Sequence, residues 1–304
     1  MKKSLLILLV LSFSSAQSGS CRDLGHIPGM FLNIGFGARA RSMGGAFSAL
    51  SDDAYAVIWN PAGLTQLQYR EASFFSTRLL QLIPYHMAVY AHHPHRSRWA
   101  HSEAVIVSGD DALREMTLLT GGGYRLRPGL RIGASLKLKN ATFGNNSEGG
   151  EGRVTGSAIG AGLDLGVLIE PARRVALALV LRDLFDAVSW SSSALGTYTQ
   201  GNPVQLIAGA LVRPWSRTAV AVDLEKSVHR DTDDHVRFGV ERGLFGFFSL
   251  RGGLSQRLEP AAPLEAHFGC GAALLLQNLQ MRIDLAYSLL ELHDTVAFSI
   301  GLSF

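Results

Sequence analysis

The chain has 304 residues, a net charge of +3 and 17% charged residues, against about 25% in ordinary soluble proteins. Apolar residues make up 47% of it, which excludes an intrinsically disordered chain. The sequence contains no basic run with interleaved aromatic residues, so we predict no nucleic-acid partner. The 33 glycines and only 10 prolines favour many extended segments with close backbone contacts over long helices.

Residues 1–16 have the features of a secretory signal peptide. Lys2 and Lys3 form its positive end, 5–11 is an unbroken apolar run, and the small residues 14–16 form a cleavage site. The apolar run is too short to span a bilayer. We therefore expect the protein to leave the cytoplasm.

The two cysteines, Cys21 and Cys270, are too far apart in the sequence to indicate a disulfide framework. Processing as a lipoprotein at Cys21 is an alternative to simple signal cleavage. However, residues 18–20 lack the large aliphatic side chain that such sites usually carry.

Residues 22–68 do not alternate and are rich in small side chains, which allow close approach of backbones. Short helical turns are expected, with Asp52 or Asp53 capping 54–59 and Asn60 capping a turn that begins at Pro61. The composition fits a compact plug inside a barrel. The alternative is an ordinary N-terminal loop domain in the periplasm.

Residues 70–304 show apolar and polar side chains in alternation, the period of a β-strand. After the leader, no stretch of about 20 residues is free of charge, so we predict no transmembrane helix. The pattern predicts fourteen strands, at 71–79, 84–91, 98–108, 115–125, 129–140, 155–169, 173–182, 203–213, 217–226, 235–242, 245–253, 265–274, 279–289 and 294–304.

A soluble β-sandwich also alternates, but two observations favour a membrane barrel. The segments run about 9–11 residues, the length of a membrane-crossing strand. Charged residues also occupy one parity in mid-strand, as expected for a polar lumen; these are Lys137, Lys139, Arg282 and Asp284.

The connections between the predicted strands also alternate in length. Tight connections fall at 126–128, 170–172, 214–216 and 243–244. Long polar ones fall at 141–154, 183–202, 227–234 and 254–264. One rim of short turns and one of longer loops is typical of outer-membrane barrels. We therefore predict an all-β fold: a transmembrane antiparallel β-barrel of about fourteen strands with an N-terminal plug, in the outer membrane of a diderm bacterium, with both termini periplasmic.

Several spaced blocks in the N-terminal part carry a resemblance to a known family. They are Phe31-Leu32-Asn33-Ile34-Gly35, Gly37-Ala38-Arg39-Ala40, Met43-Gly44-Gly45-Ala46-Phe47, Asp52-Asp53 and Trp59-Asn60-Pro61-Ala62-Gly63-Leu64. Together they resemble the N-terminal signature of the PorV/PorQ family, which is related to the FadL-type long-chain fatty-acid transporters. Leu181-Arg182-Asp183-Leu184, after the seventh predicted strand, adds to the resemblance.

The resemblance implies a fourteen-stranded barrel with an N-terminal hatch over residues 17–69 and the barrel proper over 70–304. By that analogy, Asn60, Pro61, Ala62 and Gly63 lie in the hatch, where proline stiffens the turn. Pairing with inward-facing strand charges is expected to hold the hatch shut; the hatch residues concerned are Arg39, Arg41, Asp52 and Asp53. The terminal Phe304 is similar to the aromatic end by which barrel-assembly machinery recognises its clients.

Two functions follow from this resemblance. The first is a gated conduit for hydrophobic small molecules such as long-chain fatty acids. The second is a component of type IX secretion that binds or transfers secreted protein cargo. An open porin is a third possibility, which the expected plug disfavours. In each case the outer wall would contact outer-membrane lipids.

The remaining candidate sites favour no chemistry. His92, His93 and His95 fall in a predicted turn, and the acidic run Asp231, Asp233 and Asp234 lacks the glycine and distant glutamate of a calcium loop. The glycines at 121–123 do not continue into a phosphate-binding motif. A Ser/His pair on the outer wall, with His267 or His293, is the one enzymatic alternative. We predict no enzyme activity, no cofactor and no metal site.

Overall fold

The computed structural model describes residues 34–110, 112–144, 154–228, 234–259 and 262–304. Two short helices, α1 (Ala38–Ser42) and α2 (Ala56–Trp59), precede a 3-10 turn at Pro61–Gln66. The strands are β1 Glu71–Leu79, β2 Ile83–His92, β3 Trp99–Gly109, β4 Leu113–Arg127, β5 Leu130–Phe143, β6 Gly156–Ala172, β7 Val175–Ser192, β8 Gly196–Gln200, β9 Gln205–Val212, β10 Thr218–Ser227, β11 His235–Leu244, β12 Phe248–Arg257, β13 Leu264–Leu276, β14 Leu279–Leu289 and β15 Thr295–Ser303. The predicted signal peptide and the Phe31–Asn33 part of the motif lie outside the described residues.

The strands form one closed antiparallel barrel of fourteen. Each pairs with its neighbour in the chain, except that β9 pairs with β7, and β15 pairs with β1 to close the ring. The short β8 stands outside the ring and pairs only with the last residues of β7. The fourteen predicted strands are confirmed, with ends that differ by at most four residues everywhere except β7.

The prediction of a polar loop over 183–202 is wrong, because β7 continues to Ser192 and turns back into β8. Alternation breaks at a β-bulge, where 182–184 of β7 lie opposite the single residue Asp164 of β6. Asp183 adopts a left-handed backbone with φ +53°, and Arg182 and Asp183 are both buried. In the sequence, two consecutive polar residues break the alternation and therefore resemble the end of a strand. The Leu181–Leu184 motif therefore lies within β7, not after it.

Side chains along each strand alternate between the interior and the outer wall. Asp284 of β14 is 2% exposed, whereas Leu285 beside it is 46% exposed. Most outward positions are apolar, as Phe268 and Val296 illustrate with exposures of 53% and 60%. His86, His101 and Glu103 on β2 and β3 are exceptions. A soluble monomer rarely exposes a continuous apolar surface of this kind. The wall therefore has the character of a surface that faces lipid.

The two rims of the barrel differ. One carries the tight connections at 128–129, 173–174, 245–247 and 277–278, and here β1 begins and β15 ends. Exposed aromatic side chains mark this rim; they are Trp99, Trp215, Phe245, Phe247 and Phe304. The other rim carries the longer connections, including β8. We call them the short-turn rim and the long-loop rim.

Residues Ile34–Leu67, which we call the N-terminal segment, pack against the inward-facing side of the strands. Every residue from Gly35 to Thr65 except Asp52 is buried. The segment contacts β12–β15 through α1 and β3–β6 through the 3-10 turn, so it reaches opposite sides of the ring. Among the described residues, no helix is both long enough and apolar enough to cross a membrane.

Candidate functional site

Local interactions shape the N-terminal segment before the barrel surrounds it. Gly37 precedes α1 with φ +91°, a conformation that favours glycine, and its α-hydrogen faces the ring of Tyr55. Asp53 Oδ1 accepts a hydrogen bond from the Tyr55 amide (3.1 Å) just ahead of α2. Asn60 Oδ1 accepts one from the Ala62 amide (3.1 Å) and so caps the turn that Pro61 begins. The predicted cap at Asn60 is present, whereas α2 has Tyr55 as its N-cap and no side chain caps it.

Inward-facing glycines on three adjacent strands receive the Asn60–Ala62 turn. They are Gly123 of β4, Gly133 of β5 and Gly166 of β6. A Cβ atom at Gly123 would lie 2.8 Å from the Pro61 carbonyl oxygen, and one at Gly133 would overlap the Pro61–Ala62 backbone. Sequence reasoning did not identify this cradle, although glycines at inward parity on neighbouring strands were a usable signal.

A second group of glycines receives α1 on the opposite wall. A Cβ atom at Gly239 of β11 would lie 2.5 Å from the Met43 carbonyl oxygen, and one at Gly253 of β12 would overlap the backbone between Met43 and Gly44. The backbone of the segment therefore packs closely against the barrel wall at β4–β6 and at β11–β12. Each of these five wall glycines leaves room that a larger side chain would fill.

Hydrogen bonds join the segment to the wall around the ring. The Ala38 amide donates to Ser299 Oγ of β15 (2.8 Å), and Ser135 Oγ of β5 donates to the Val57 carbonyl (2.6 Å). Asp223 of β10 accepts from the amides of Phe47 (3.1 Å) and Ser48 (2.9 Å) and from the Ser48 hydroxyl. Burial removes these polar groups from the water that would otherwise bind them. Each hydrogen bond supplies a partner in its place.

Asn60 itself makes two further contacts. Its Nδ2 donates to the Ser48 carbonyl (2.9 Å) within the segment and to the Val167 carbonyl of β6 (3.3 Å). The side chain thus ties the turn both to the rest of the segment and to the wall. The structure places Pro61, Ala62 and Gly63 in the buried turn that follows.

Arg39 lies at the centre of a buried network of charges. It contacts Asp52 (2.5 Å), Asp53 (3.3 Å) and Glu241 of β11 (2.8 Å). Burial opposes its charge, but these carboxylates together raise the pKa of Arg39 well above its usual value. Glu241 also accepts from Arg251 of β12 (2.6 Å).

The network continues along the wall through Arg251, which contacts Asp284 of β14 (2.7 Å). Arg282 then lies between Asp284 (3.1 Å), Glu71 of β1 (3.0 Å) and Asp53 of the segment (3.7 Å). Burial raises the pKa of Asp53 to about 6, with Arg282 and Arg39 opposing the shift. Sequence reasoning did not find Glu241 or Arg251; both lie at inward parity.

Asp52 and Arg41, the other charged residues predicted to hold the segment, behave differently from each other. Asp52 is partly exposed and, besides Arg39, has Arg213 at 3.8 Å. Arg41 is buried, yet its Nη1 has no hydrogen-bond partner and the described residues provide it no ion pair. Among the described residues, Glu265 of β13 acts on Arg41 from beyond ion-pair distance, so the expected pairing of Arg41 with a strand charge stays a prediction.

The β6–β7 bulge carries a second buried charge cluster. Lys137 Nζ of β5 lies 2.7 Å from both Asp164 and Asp183, and the Asp183 amide donates to Asp164 (2.8 Å). Lys139, two residues along β5, pairs with Asp186. Arg182 is held nearby in the interior by Glu225 of β10 (3.4 Å). The bulge thus places Arg182 against the N-terminal segment, with its guanidinium 6.0 Å from the centre of the Trp59 ring.

Two cavities lie on opposite sides of the segment. One, of about 190 Å³, opens toward the long-loop rim and is bordered by Arg41 and Trp59 of the segment and by Leu79 and Leu290. The other, of about 330 Å³, opens toward the short-turn rim and is bordered by Arg39, Asp52 and Glu241. The segment and its charge network separate the two.

The other candidate sites gain no support as reactive centres. His267 does not lie on the outer wall: it is buried in the interior between Ser255 and Ser288, each at 2.9 Å. His93 is held in the β2–β3 turn by the carbonyls of Leu67 and Ser97. The glycines at 121–123 lie within β4. Asp231 and Asp233 fall outside the described residues, and the described part of the chain holds no group of three metal-ligating side chains.

No protein-family model matches the sequence, and no curated protein matches it by sequence. Solved structures do match. A CymD monoaromatic hydrocarbon channel is 15% identical with a TM-score of 0.63, over 89% of this chain and 98% of that one. The toluene transporter TodX of Pseudomonas putida is 15% identical with a TM-score of 0.62, over 88% and 98%.

A FadL homologue of Pseudomonas aeruginosa is 9% identical with a TM-score of 0.61, over 87% of this chain and 97% of that one. At these identities the likeness is one of fold. The chain is an all-β, closed, antiparallel, fourteen-stranded barrel with the fold of FadL-type channels.

Proposed function

We propose that this protein is an outer-membrane conduit for hydrophobic small molecules and that the N-terminal segment is its hatch. The observation that carries the proposal is the position of the segment, which separates a cavity on the long-loop side from a cavity on the short-turn side. The apolar outer wall supports a location in a membrane. The fold, shared with hydrocarbon channels and a FadL homologue, supports the class of ligand.

In this proposal, passage requires the segment to move. Its hold on the wall combines buried charge pairs and hydrogen bonds, which can exchange partners, with apolar contacts such as those of the Phe36 and Tyr55 rings with Phe75 of β1. Asn60, Pro61, Ala62 and Gly63 would form the stiff end of the hatch in its glycine cradle. Arg39, Asp52 and Asp53 would form its electrostatic latch.

A reversible cross-link tests both parts of the proposal. In a Cys21→Ser/Cys270→Ser background, Ala38→Cys and Ser299→Cys join α1 to β15. The 2.8 Å contact between the Ala38 amide and Ser299 Oγ brings the pair near the Cα separation of about 4.4–6.8 Å that a disulfide needs. Uptake of radiolabelled toluene is measured in cells that display the barrel in an outer membrane without a channel of this type.

The expected result is uptake above the empty-vector level that falls when the disulfide forms and returns on reduction. Each single-cysteine variant, treated in the same way, serves as the matched control. Uptake no greater than that of the empty vector would contradict the conduit. Full uptake by the cross-linked protein would contradict movement of the segment.

The resemblance of the N-terminal blocks to the PorV/PorQ family supports a second proposal, a role in type IX secretion. In that role the long-loop rim would receive a secreted protein. Mass spectrometry of material that copurifies in mild detergent separates the two. A stoichiometric apolar molecule favours the conduit, and a secreted protein or translocon subunit favours secretion.

The remaining proposals concern targeting and assembly. We infer that residues 1–16 direct export and that the short-turn rim, where β1 begins and β15 ends, faces the periplasm together with the C-terminus. Phe304 would present its aromatic end to the barrel-assembly machinery. The residue is 49% exposed, while its backbone pairs with that of Arg70.

A further inference from the structure

Arg41 is a buried cation whose charge the surrounding protein leaves largely uncompensated. It is 6% exposed and lies on α1, where it borders the cavity on the long-loop side. Its Nη1 has no hydrogen-bond partner, and no described carboxylate lies within ion-pair distance of it. A buried guanidinium without a partner is costly, and such a group in a native structure calls for an explanation.

The other cations at this cavity are already paired. Arg237 and Arg182 both contact Glu225, at 2.6 and 3.4 Å. His235 lies 3.8 Å from the same carboxylate. Arg41 therefore differs from its neighbours in having donors that point to no carboxylate of the described chain.

One carboxylate at the cavity, Glu265, acts on Arg41 from a greater distance. Its side chain accepts a hydrogen bond from Ser255 Oγ (2.8 Å) and not from Arg41. Burial lowers the pKa of Arg41 to about 10, and Glu265 opposes this shift only in part. The guanidinium thus stays charged at neutral pH, and its unpartnered Nη1 suits a single negative charge.

Apolar side chains form much of the cavity wall; they are Phe36, Ile58, Trp59, Leu79 and Leu290. Ser255 and His267, which are hydrogen-bonded to each other, also line it. Its volume is about 190 Å³, and a cavity of about 150 Å³ already holds benzene. There is room for one aromatic ring with a small substituent.

We propose that this cavity is a binding site for a small aromatic carboxylate, with the carboxylate on Arg41 and the ring against Trp59 and Leu290. The inference rests on the proposed conduit and adds acids about one ring in size to its hydrophobic ligands. A neutral hydrocarbon would leave the Arg41 donors unpaired. A dianionic phosphate would bring a second negative charge toward Glu265 and Glu225 without a further free cation.

Binding to the intact barrel in detergent tests the proposal, with benzoate as the probe and benzyl alcohol as its neutral match. The wild type is expected to prefer benzoate. Charge-assisted hydrogen bonds contribute about 1.5–3 kcal/mol, so Arg41→Met should lower the ratio of benzoate to benzyl alcohol affinity about tenfold to a hundredfold. Arg41→Lys should restore part of the preference. Arg173→Met, at an exposed turn on the opposite rim, is the matched control and should leave the ratio unchanged.

A wild-type preference for benzyl alcohol, or an equal ratio in Arg41→Met, would overturn the proposal. If Arg41→Met does not assemble, a crystal structure of the wild-type barrel with 4-bromobenzoate provides the test instead. Anomalous scattering should place the bromine between Trp59 and Leu290. Bromine found elsewhere, or not found at all, would overturn the proposal as well. If the carboxylate site is disproved but toluene uptake persists, the proposed conduit still stands. Failure of the site and failure of the conduit are therefore distinguishable.

Discussion

Arg39 of α1 and Glu241 of β11 are 202 residues apart in the sequence, yet they form two parallel hydrogen bonds of 2.8 Å, from Nε to Oε2 and from Nη2 to Oε1. This bidentate geometry is the strongest arrangement available to such a pair. Since Glu241 also binds Arg251, and Arg251 binds Asp284, the contact connects the segment to charges of the wall. The pair is therefore a strong electrostatic link between the N-terminal segment and the barrel.

Replacing Arg39 with glutamine should loosen the segment while the barrel still assembles. The change leaves Asp53 and Glu241 buried with one cation fewer, and breaking a buried pair costs about 3–5 kcal/mol. Amide hydrogen exchange across 38–59 should accelerate by at least a hundredfold. Arg213→Gln is the control, because Arg213 is 36% exposed and 3.8 Å from Asp52, a pair worth at most about 1 kcal/mol. Equal protection in both variants would contradict the assigned role of Arg39.

The glycine cradle predicts a steric sensitivity at Gly133. Valine there would force the Pro61–Ala62 backbone off the wall, so exchange should rise across 61–66 and the protein should lose about 1–3 kcal/mol of stability. Gly122→Val is the control, since a Cβ atom at Gly122 would meet only the Ala100 carbonyl, at 3.6 Å. Similar exchange in the two variants would show that the cradle does not seat the turn.

The barrel was largely predictable because one strand pattern is repeated around the ring. In β15, Val296 and Ile300 face outward while Ala297 and Ser299 face inward, as their alternation predicts. The bulge at Asp183 was not predictable, since it interrupts that alternation. Likewise, no local pattern reveals that Arg39 contacts Glu241. The closure of the ring and the stagger of the strands decide which inward side chains lie at the same height along the barrel axis.

The raised pKa of Asp53 predicts that docking of the segment depends on pH. Burial raises this pKa to about 6, and the groups that face Asp53 are Arg39, Arg282, Glu71 and Asp52. The docked state binds a proton more tightly than a solvated aspartate, whose pKa is about 3.9. Docking is therefore favoured below about pH 4 and weakens as the pH rises to about 6, by up to about a hundredfold.

Hydrogen exchange of the segment, corrected for the intrinsic rate, should show less protection at pH 7.5 than at pH 5. Asp53→Asn should abolish the difference, because asparagine can still accept the Tyr55 amide through Oδ1 but does not titrate. A pH dependence that survives in Asp53→Asn would assign the effect to another group.

The C-terminal aromatic residue predicts an effect on assembly. Phe304→Ala should reduce the amount of barrel in the outer membrane severalfold if the terminal ring is read by the assembly machinery. Phe245→Ala is the control, since Phe245 lies on the same rim and is 83% exposed. Unchanged membrane levels for Phe304→Ala, or an equal loss for Phe245→Ala, would remove the basis for that proposal.

The cluster at the β6–β7 bulge predicts a strong and rescuable destabilisation. Lys137→Met leaves Asp164 and Asp183 facing each other in the interior without their shared cation, and the loss should be about 3–5 kcal/mol. Urea unfolding of the barrel in lipid vesicles, followed by tryptophan fluorescence, measures it. Adding Asp164→Asn and Asp183→Asn to Lys137→Met removes the uncompensated charges and should recover most of the stability. A triple variant as unstable as Lys137→Met would mean that packing of the lysine stem, and not charge balance, holds the bulge together.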